Sequence, residues 1–354
     1  MTACLTSAVF CTAPQADPVR IATYNTGLSR DGPGLLLRDI ASGADPQVTA
    51  LTAVISKVQP DILLLQSIDY DLDLHALTAF NATLSEAGQH YPYIFSSLPN
   101  TGMQTGLDMD LDGRFINAKD AQSFGAFSGQ KGMAILSRYP IMTDDVQDYS
   151  DVLWKDIPAS LLLDINEAQG LTSAIRDIQR LSYVAHWVVP INVQSHTLTL
   201  LAFHASPPVF DGPEDRNGRR NHDELRFWQL YMDGAFDTPP EHTFVLLGDA
   251  NLDPVDSEGR KEAIRALLQD PRLQDPSPHR SFPVSAQTGQ RGDPMLDTVH
   301  WPKLDSMRVD YILPSSDLQV LASGVYWPDD TTPNGQTAAI ASRHRLVWVD
   351  IALD

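Results

Sequence analysis

The stretch Thr243-Phe244-Val245-Leu246-Leu247-Gly248-Asp249-Ala250-Asn251-Leu252-Asp253-Pro254 decides the fold: an apolar run breaks at a glycine and delivers an acid and an amide. The run before Gly248, apolar or β-branched throughout, reads as a buried strand. Asp249 and Asn251 stand two apart at its carboxyl end. In extended backbone their side chains point the same way, into the crevice where open α/β sheets bind ligands. Asp and Asn also favour turns, so this segment alone reads equally well as a strand-ending turn.

Other segments repeat the arrangement. Ala22-Thr23-Tyr24-Asn25, Leu64-Leu65-Gln66-Ser67, Ala202-Phe203-His204 and Arg308-Val309-Asp310-Tyr311-Ile312-Leu313 all set polar residues on strand ends, and Ala341-Ser342-Arg343-His344 follows near the end of the chain. In this order and spacing the set resembles the endonuclease/exonuclease/phosphatase superfamily, over about Val19 to Leu353. The resemblance implies an α/β fold, a four-layer α-β-β-α sandwich of two mixed β-sheets flanked by helices, in one domain over residues 17–354. It implies a phosphoesterase that hydrolyses a phosphodiester or phosphomonoester. In that family pattern His344, oriented by Asp310, takes the proton of the attacking water. Asp249 and Asn251 align water and phosphate, His204 hydrogen-bonds the scissile phosphate, and Asn25 helps to position metal and phosphate.

The pattern departs from the family at two places. Gln66-Ser67 stands where the family has Gln-Glu, whose Glu is the principal ligand of a Mg2+ or Mn2+ ion, and Ser342-Arg343-His344 stands where it has Ser-Asp-His. A hydroxyl is a weak, neutral substitute for a carboxylate on a hard cation. Two resolutions follow. If the strand continues past Ser67, Asp69 shares its face and becomes the replacement metal ligand, with Asp71 next in the alternation. Alternatively Arg343 partly replaces the metal, its planar guanidinium holding phosphate oxygens bidentately.

Composition bounds the substrate. With 354 residues, 43% of them hydrophobic, the chain can build a sizeable core. A net charge of −20 opposes a surface made to hold nucleic acid by counterion release. The substrate class is therefore a phosphate ester of a small molecule or lipid headgroup before a nucleic acid. The alternatives are an exported nuclease acting on DNA or RNA, and a non-catalytic phosphate-ester-binding homologue with a degenerate metal site. No stretch reaches the ~20 apolar residues of a membrane span, and a monomer is expected.

Residues 1–16, with the apolar and small residues of Ala3 to Ala13, look like the end of a secretory signal, although a basic n-region is missing. A secreted or periplasmic chain is the expectation. Both cysteines, Cys4 and Cys11, lie in this leader, so a processed chain would hold no disulfide.

Between the strand ends, Asp45-Pro46 opens a helix over Gln47 to Val58, with Asp45 as N-cap. Helical spacing also marks Leu72 to Leu84 and Glu262 to Leu268. An insertion over residues 100–130 carries Asp108, Asp110 and Asp112 at alternate positions before Gly113, the first half of a calcium loop. Lys119 sits where an EF-hand needs Glu, but Asp120 follows, so a structural Ca2+ is expected in this insertion. Lys131 to Ile141 reads as an architectural strand, and Gln194 to Thr197 as the turn of a hairpin. The loop Phe210–Asn221 gathers Arg216, Arg219 and Arg220, of which Arg216 and Arg219 are expected to face substrate phosphate. Asn221 and His222 would then cap a helix over Asp223–Phe236.

Overall fold

The computed structural model describes residues 18–302 and 304–353, so the leader expected over 1–16 lies outside the described residues. In chain order the elements are β1 (Val19–Asn25), α1 (Leu35–Ala41), α2 (Pro46–Val58), β2 (Ile62–Ile68), α3 (His75–Glu86), β3 (Tyr93–Phe95), β4 (Gly132–Ser137) and β5 (Gln147–Asp148). There follow α4 (Ser173–Ile178), β6 (His186–Val193), β7 (His196–His204), α5 (Arg216–Met232), β8 (Phe244–Asp249) and α6 (Glu262–Leu268). The chain ends with β9 (Val299–Trp301), β10 (Asp305–Met307), β11 (Asp310–Pro314), β12 (Gln319–Tyr326), α7 (Pro333–Ala341) and β13 (Leu346–Ala352).

One sheet runs β12-β13-β1-β2-β4-β3 and the other β11-β8-β7-β6-β5, while β9 and β10 pair apart. Both sheets are mixed, because β1 lies parallel to β2 and β7 parallel to β8 among otherwise antiparallel pairs.

Alternation along each strand builds the layers. In β1, Ile21 points into the core between the sheets while Ala22 and Tyr24 face the opposite way, against α1, α2, α3 and α7. In β8, Val245 and Leu247 point inward, and Phe244 and Leu246 pack outward with Leu225, Trp228 and Ile264 of α5 and α6. Strands buried on both faces must be apolar at consecutive positions, which is why these runs lack a polar face. Each fully buried aliphatic side chain contributes about 1.5–3 kcal/mol relative to exposure. The result is the expected four-layer α-β-β-α sandwich.

Helix starts follow local chemistry. Asp45 accepts from the Val48 amide at 2.9 Å with Pro46 in the first turn, and Thr332 likewise caps α7 ahead of Pro333 by accepting from Gly335.

Several boundaries move. β2 does not run on to Asp69: Ser67 adopts a left-handed φ of 55° and the register with β4 shifts there, so the strand ends at Ile68. α3 begins at His75, held by Asp71, whose two carboxylate oxygens accept from the His75 and Ala76 amides; Leu72 is exposed. The β6–β7 turn is tighter than expected, since Val193 already pairs with His196. The arginine-bearing segment is helical, because α5 starts at Arg216. Asn221 is therefore an interior residue of α5, buried, with its amide nitrogen donating to the carbonyls of Ser206 and Ala250. His222 contacts the neighbouring Asp223 carboxylate and caps nothing.

Candidate active site

Sheet register assembles the centre. β8 pairs with β7 on one side and β11 on the other, placing His204, Asp249 and Asp310 side by side in one row at the strand ends. Asn25, at the tip of β1 in the facing sheet, donates its amide nitrogen to Asp249 Oδ2 at 2.8 Å, which ties the two sheets together at the site. His344 enters from the segment between α7 and β13. Its backbone amide donates to Ser342 Oγ, and that hydroxyl donates to the Asn25 carbonyl at 2.6 Å.

His344 Nδ1 lies 2.9 Å from Asp310 Oδ2 and 3.9 Å from Asp249 Oδ2. Asp310 is itself oriented by Thr298, whose hydroxyl donates to Asp310 Oδ2 at 2.7 Å and accepts from the amides of Val309 and Asp310. No sequence spacing marked Thr298. Trp301 meets the His344 ring edge-on, 5.9 Å between centroids. His204 Nε2 stands 3.5 Å from Asp249 Oδ2. Asn251, in a left-handed conformation, donates its amide nitrogen to the Ala205 carbonyl, and its backbone N–H donates to Asp249 Oδ1. It holds Asp249 and the strand end in place.

Burial sets the electrostatics. It pushes the Asp249 carboxyl up to about 7, with the negative charge of Asp310 adding to the shift. Burial pushes His204 down to about 3, assisted by the charges of His344 and Lys131. For His344 burial acts downward, but Asp310 and Asp249 together outweigh it and raise the imidazole above its ordinary value. A base of raised affinity beside an acid of raised pKa, each moved by the other's charge, is a pairing that proton-transfer chemistry uses.

An open cavity of about 620 Å³ covers this centre, lined by Asn25, Ser67, Lys131, Trp301, Arg343 and His344 among others. Arg343 is exposed and has no ion-pair partner among the described residues. Arg30 also lines the cavity, but Asp39 and Asp45 pair with it.

The other expected residues lie elsewhere. Both carboxylate oxygens of Asp69 accept backbone amides, from Arg30 at 2.8 Å and Lys131 at 3.0 Å, so Asp69 clasps two loops and does not turn to Ser67. Arg219 turns to the Glu214 carbonyl and to Asp164. Arg216 donates to the Met109 carbonyl and to Gln179, and lines a second cavity rather than the one over His344. In the insertion, Asp108, Asp110 and Asp120 bring carboxylate oxygens within 4.8 Å of one another, while Asp112 is not in the group. Asp108 accepts the Asp112 and Gly113 amides, Asp120 accepts those of Met109 and Asn117, and Lys119 pairs with Asp110 at 3.0 Å. The loop is closed by its own donors.

The same test applies to the metal implied for the active site. At its mouth the donors do not fit a cation: Ser67 is neutral, Asp69 is engaged, and Arg343 occupies the expected carboxylate position. On its floor Asp249, Asp310 and His344 each offer a ligand atom within 4.8 Å of the others, and Asp310 Oδ1 is buried with no hydrogen-bond partner. Two hard oxygens and an imidazole are a donor set that a divalent ion accepts.

Comparison with known proteins identifies the family and the fold. The model of the Endonuclease/Exonuclease/phosphatase family matches residues 22–344. No curated protein matches the chain. Among solved structures, an endonuclease/exonuclease/phosphatase from Beutenbergia cavernae DSM 12333 is 18% identical with a TM-score of 0.53, over 95% of this chain and 72% of its own. A family protein from Leptotrichia buccalis C-1013-b is 16% identical with a TM-score of 0.50, over 95% of this chain and 100% of its own. One from Bacteroides thetaiotaomicron is 13% identical with a TM-score of 0.50, over 96% of this chain and 98% of its own. At such identities these structures bear on the fold alone.

Proposed function

The chain belongs to the endonuclease/exonuclease/phosphatase family, and from that premise we propose that it hydrolyses phosphate esters with His344 as general base and Arg343 as the main cation on the phosphate. The observation that carries this reading is the Thr298–Asp310–His344 relay under a cavity whose rim presents an unpaired guanidinium.

In this reading Asp310 accepts the Nδ1 proton of His344 and turns Nε2 toward a water. Nε2 takes the water's proton as oxygen attacks phosphorus. Arg343 holds phosphoryl oxygens as their charge grows. Asp249, fixed by Asn25 and the Asn251 amide and raised above the usual carboxylate range by burial, supplies a proton to the departing oxygen. His204, uncharged near neutral pH, offers its single N–H to the phosphate or to Asp249. A divalent cation, when bound by Asp249, Asp310 and His344, would lower the pKa of a coordinated water, chemistry that replaces the His344 base rather than adding to it.

Turnover of bis(p-nitrophenyl) phosphate and p-nitrophenyl phosphate in EDTA tests the reading. Activity is expected to persist in EDTA and to vanish in His344→Ala; no His344-dependent turnover, with or without added Mg2+ or Mn2+, would leave only a phosphate-ester-binding role. Arg343→Ala should lower kcat/KM by about tenfold to a hundredfold, the range of a charge-assisted hydrogen bond. Unchanged kinetics in that variant would remove Arg343 from the reaction.

A further inference from the structure

The second cavity, about 690 Å³, has no role in the reaction described above. Its lining includes Met109, Phe124, Tyr183, Phe210 and Arg216. Phe124 and Phe210 are exposed, 54% and 86%, whereas Met109 is buried, so two aromatic rings rim this pocket. The rest of the lining is largely polar, with Arg216, Arg220, Asp110 and Glu214 among it, so the aromatic rings are the part of this concavity that a planar or apolar group would cover.

Lys131 joins this cavity to the active site, for it lines both. Its side chain is exposed and makes no ion pair or hydrogen bond among the described residues, although the chain has 45 acidic residues against 25 basic ones. Its charge reaches the active site, where it helps to hold His204 neutral. Its backbone is also unusual. Lys131 takes a left-handed φ of 54°, which costs a non-glycine residue on the order of 1 kcal/mol, and the buried Asp69 carboxylate holds its amide. The Asp69 clasp fixes the backbone here, so the unpaired ammonium is set at the junction of the two cavities.

We propose that Lys131, which lines the active-site cavity together with Arg343, is a phosphate-binding residue, and that the substrate is a diester whose second arm passes Lys131 into the aromatic-rimmed cavity. This rests on the phosphoesterase reading and names its substrate class. A monoester fills one cavity. A diester whose phosphate is held by a cation shared between two cavities has room for an arm on each side. The rings of Phe124, Phe210 and Tyr183 suit an arm bearing a planar ring or an apolar chain.

The test separates binding from turnover. Inorganic phosphate is titrated calorimetrically into the full chain in EDTA at low ionic strength, and again into Lys131→Met, Lys131→Arg and Lys131→Gly. Lys131→Met and Lys131→Gly should weaken phosphate binding about tenfold, the effect of removing one charged hydrogen-bond donor, and Lys131→Arg should stay within about threefold of the parent. Lys131→Gly should also melt no lower than the parent, since glycine adopts the left-handed backbone freely. Parent-like phosphate affinity in both Lys131→Met and Lys131→Gly would overturn the proposal. For the second arm, Phe210→Ala should lower the ratio of kcat/KM for bis(p-nitrophenyl) phosphate over p-nitrophenyl phosphate about threefold or more, as stacking on one ring is lost. An unchanged ratio would remove the second cavity from the substrate. If the chain proves to bind phosphate through Lys131 without turnover, the hydrolytic reading fails while the Lys131 assignment stands.

Discussion

At the scale of single residues, Asp310 has the clearest measurable consequence. It raises the affinity of His344 for a proton, and His344 can act as a base only once that proton is gone. The sign is therefore fixed: activity falls as pH drops below a midpoint lying above the ordinary imidazole value, and Asp310→Asn moves that midpoint down while reducing the maximal rate. A pH–rate profile of kcat/KM for bis(p-nitrophenyl) phosphate checks this; a midpoint that stays put or rises in the variant would assign the ionisation to another group. His204, Asp249, Asn251, Asp310 and His344 could all be named from the sequence, because each lies at or beside the end of an apolar strand, His204 and Asp249 closing β7 and β8 and Asp310 opening β11, and their order matches a known family. Thr298 could not be. It lies twelve residues before Asp310 in a loop-rich return, and its role comes from a hydroxyl folded back under that carboxylate. Asp69 has the reverse history: its spacing from Ser67 promised a metal ligand, yet the left-handed turn at Ser67 sends its oxygens to the amides of Arg30 and Lys131.

At the scale of elements, the active site depends on the register between β7 and β8, where His204 meets Asp249. Gly248 sets the approach of these strands. A methyl group there would lie 2.0 Å from the Phe203 carbonyl oxygen, against backbone that cannot swing aside. Gly248→Ala should destabilise the protein by about 3 kcal/mol or more and abolish turnover, as expected of overpacking that moves backbone. Urea denaturation and activity of the same preparation check it, and a parent-like stability would show that the pairing is looser than the geometry implies. Helix α5 shows how an element escapes sequence reading. Its first turns, Arg216 to Asn221, look like part of a solvated loop because they are polar and basic, with the helix expected only from Asp223. In the fold Arg220 caps the carbonyls of Leu181, Gln122, Arg180 and Ser182, and Glu224 accepts from the Tyr183 and Ser206 amides. Those donors and acceptors come from residues up to 98 positions away, so no local periodicity announces them.

For the molecule as a whole, acid stability should carry the mark of His186. This ring is buried among Phe203, Phe227 and Trp228, with Nε2 donating to the Glu224 carbonyl, and burial pushes its pKa down to about 4. In the unfolded chain it protonates near the ordinary 6.5, so the unfolded state binds the extra proton between those values. The contribution to stability is fully present above about pH 6.5 and is lost as pH falls toward 4, on the order of 3 kcal/mol in all. His186→Leu should therefore lose about 2 kcal/mol less than the parent between pH 7 and pH 4.5 in urea titrations; equal losses would show that the imidazole is not held neutral. What the sequence determined by itself is what local pattern encodes: which segments are strands buried on both faces, which polar residues stand at the strand ends, and where Asp45-Pro46 starts a helix; the four-layer sandwich followed from the resemblance of that ordered set to a known family. Only the tertiary structure decided which way the functional groups turn. A left-handed backbone at Ser67 removed Asp69 from the expected ligand position, distant carbonyls claimed the arginines of α5, and two loops meeting at Asp69 left Lys131 unpaired between two cavities. Those outcomes depend on partners far away in sequence, competing for the same donors and acceptors, and spacing along a chain carries no record of that competition.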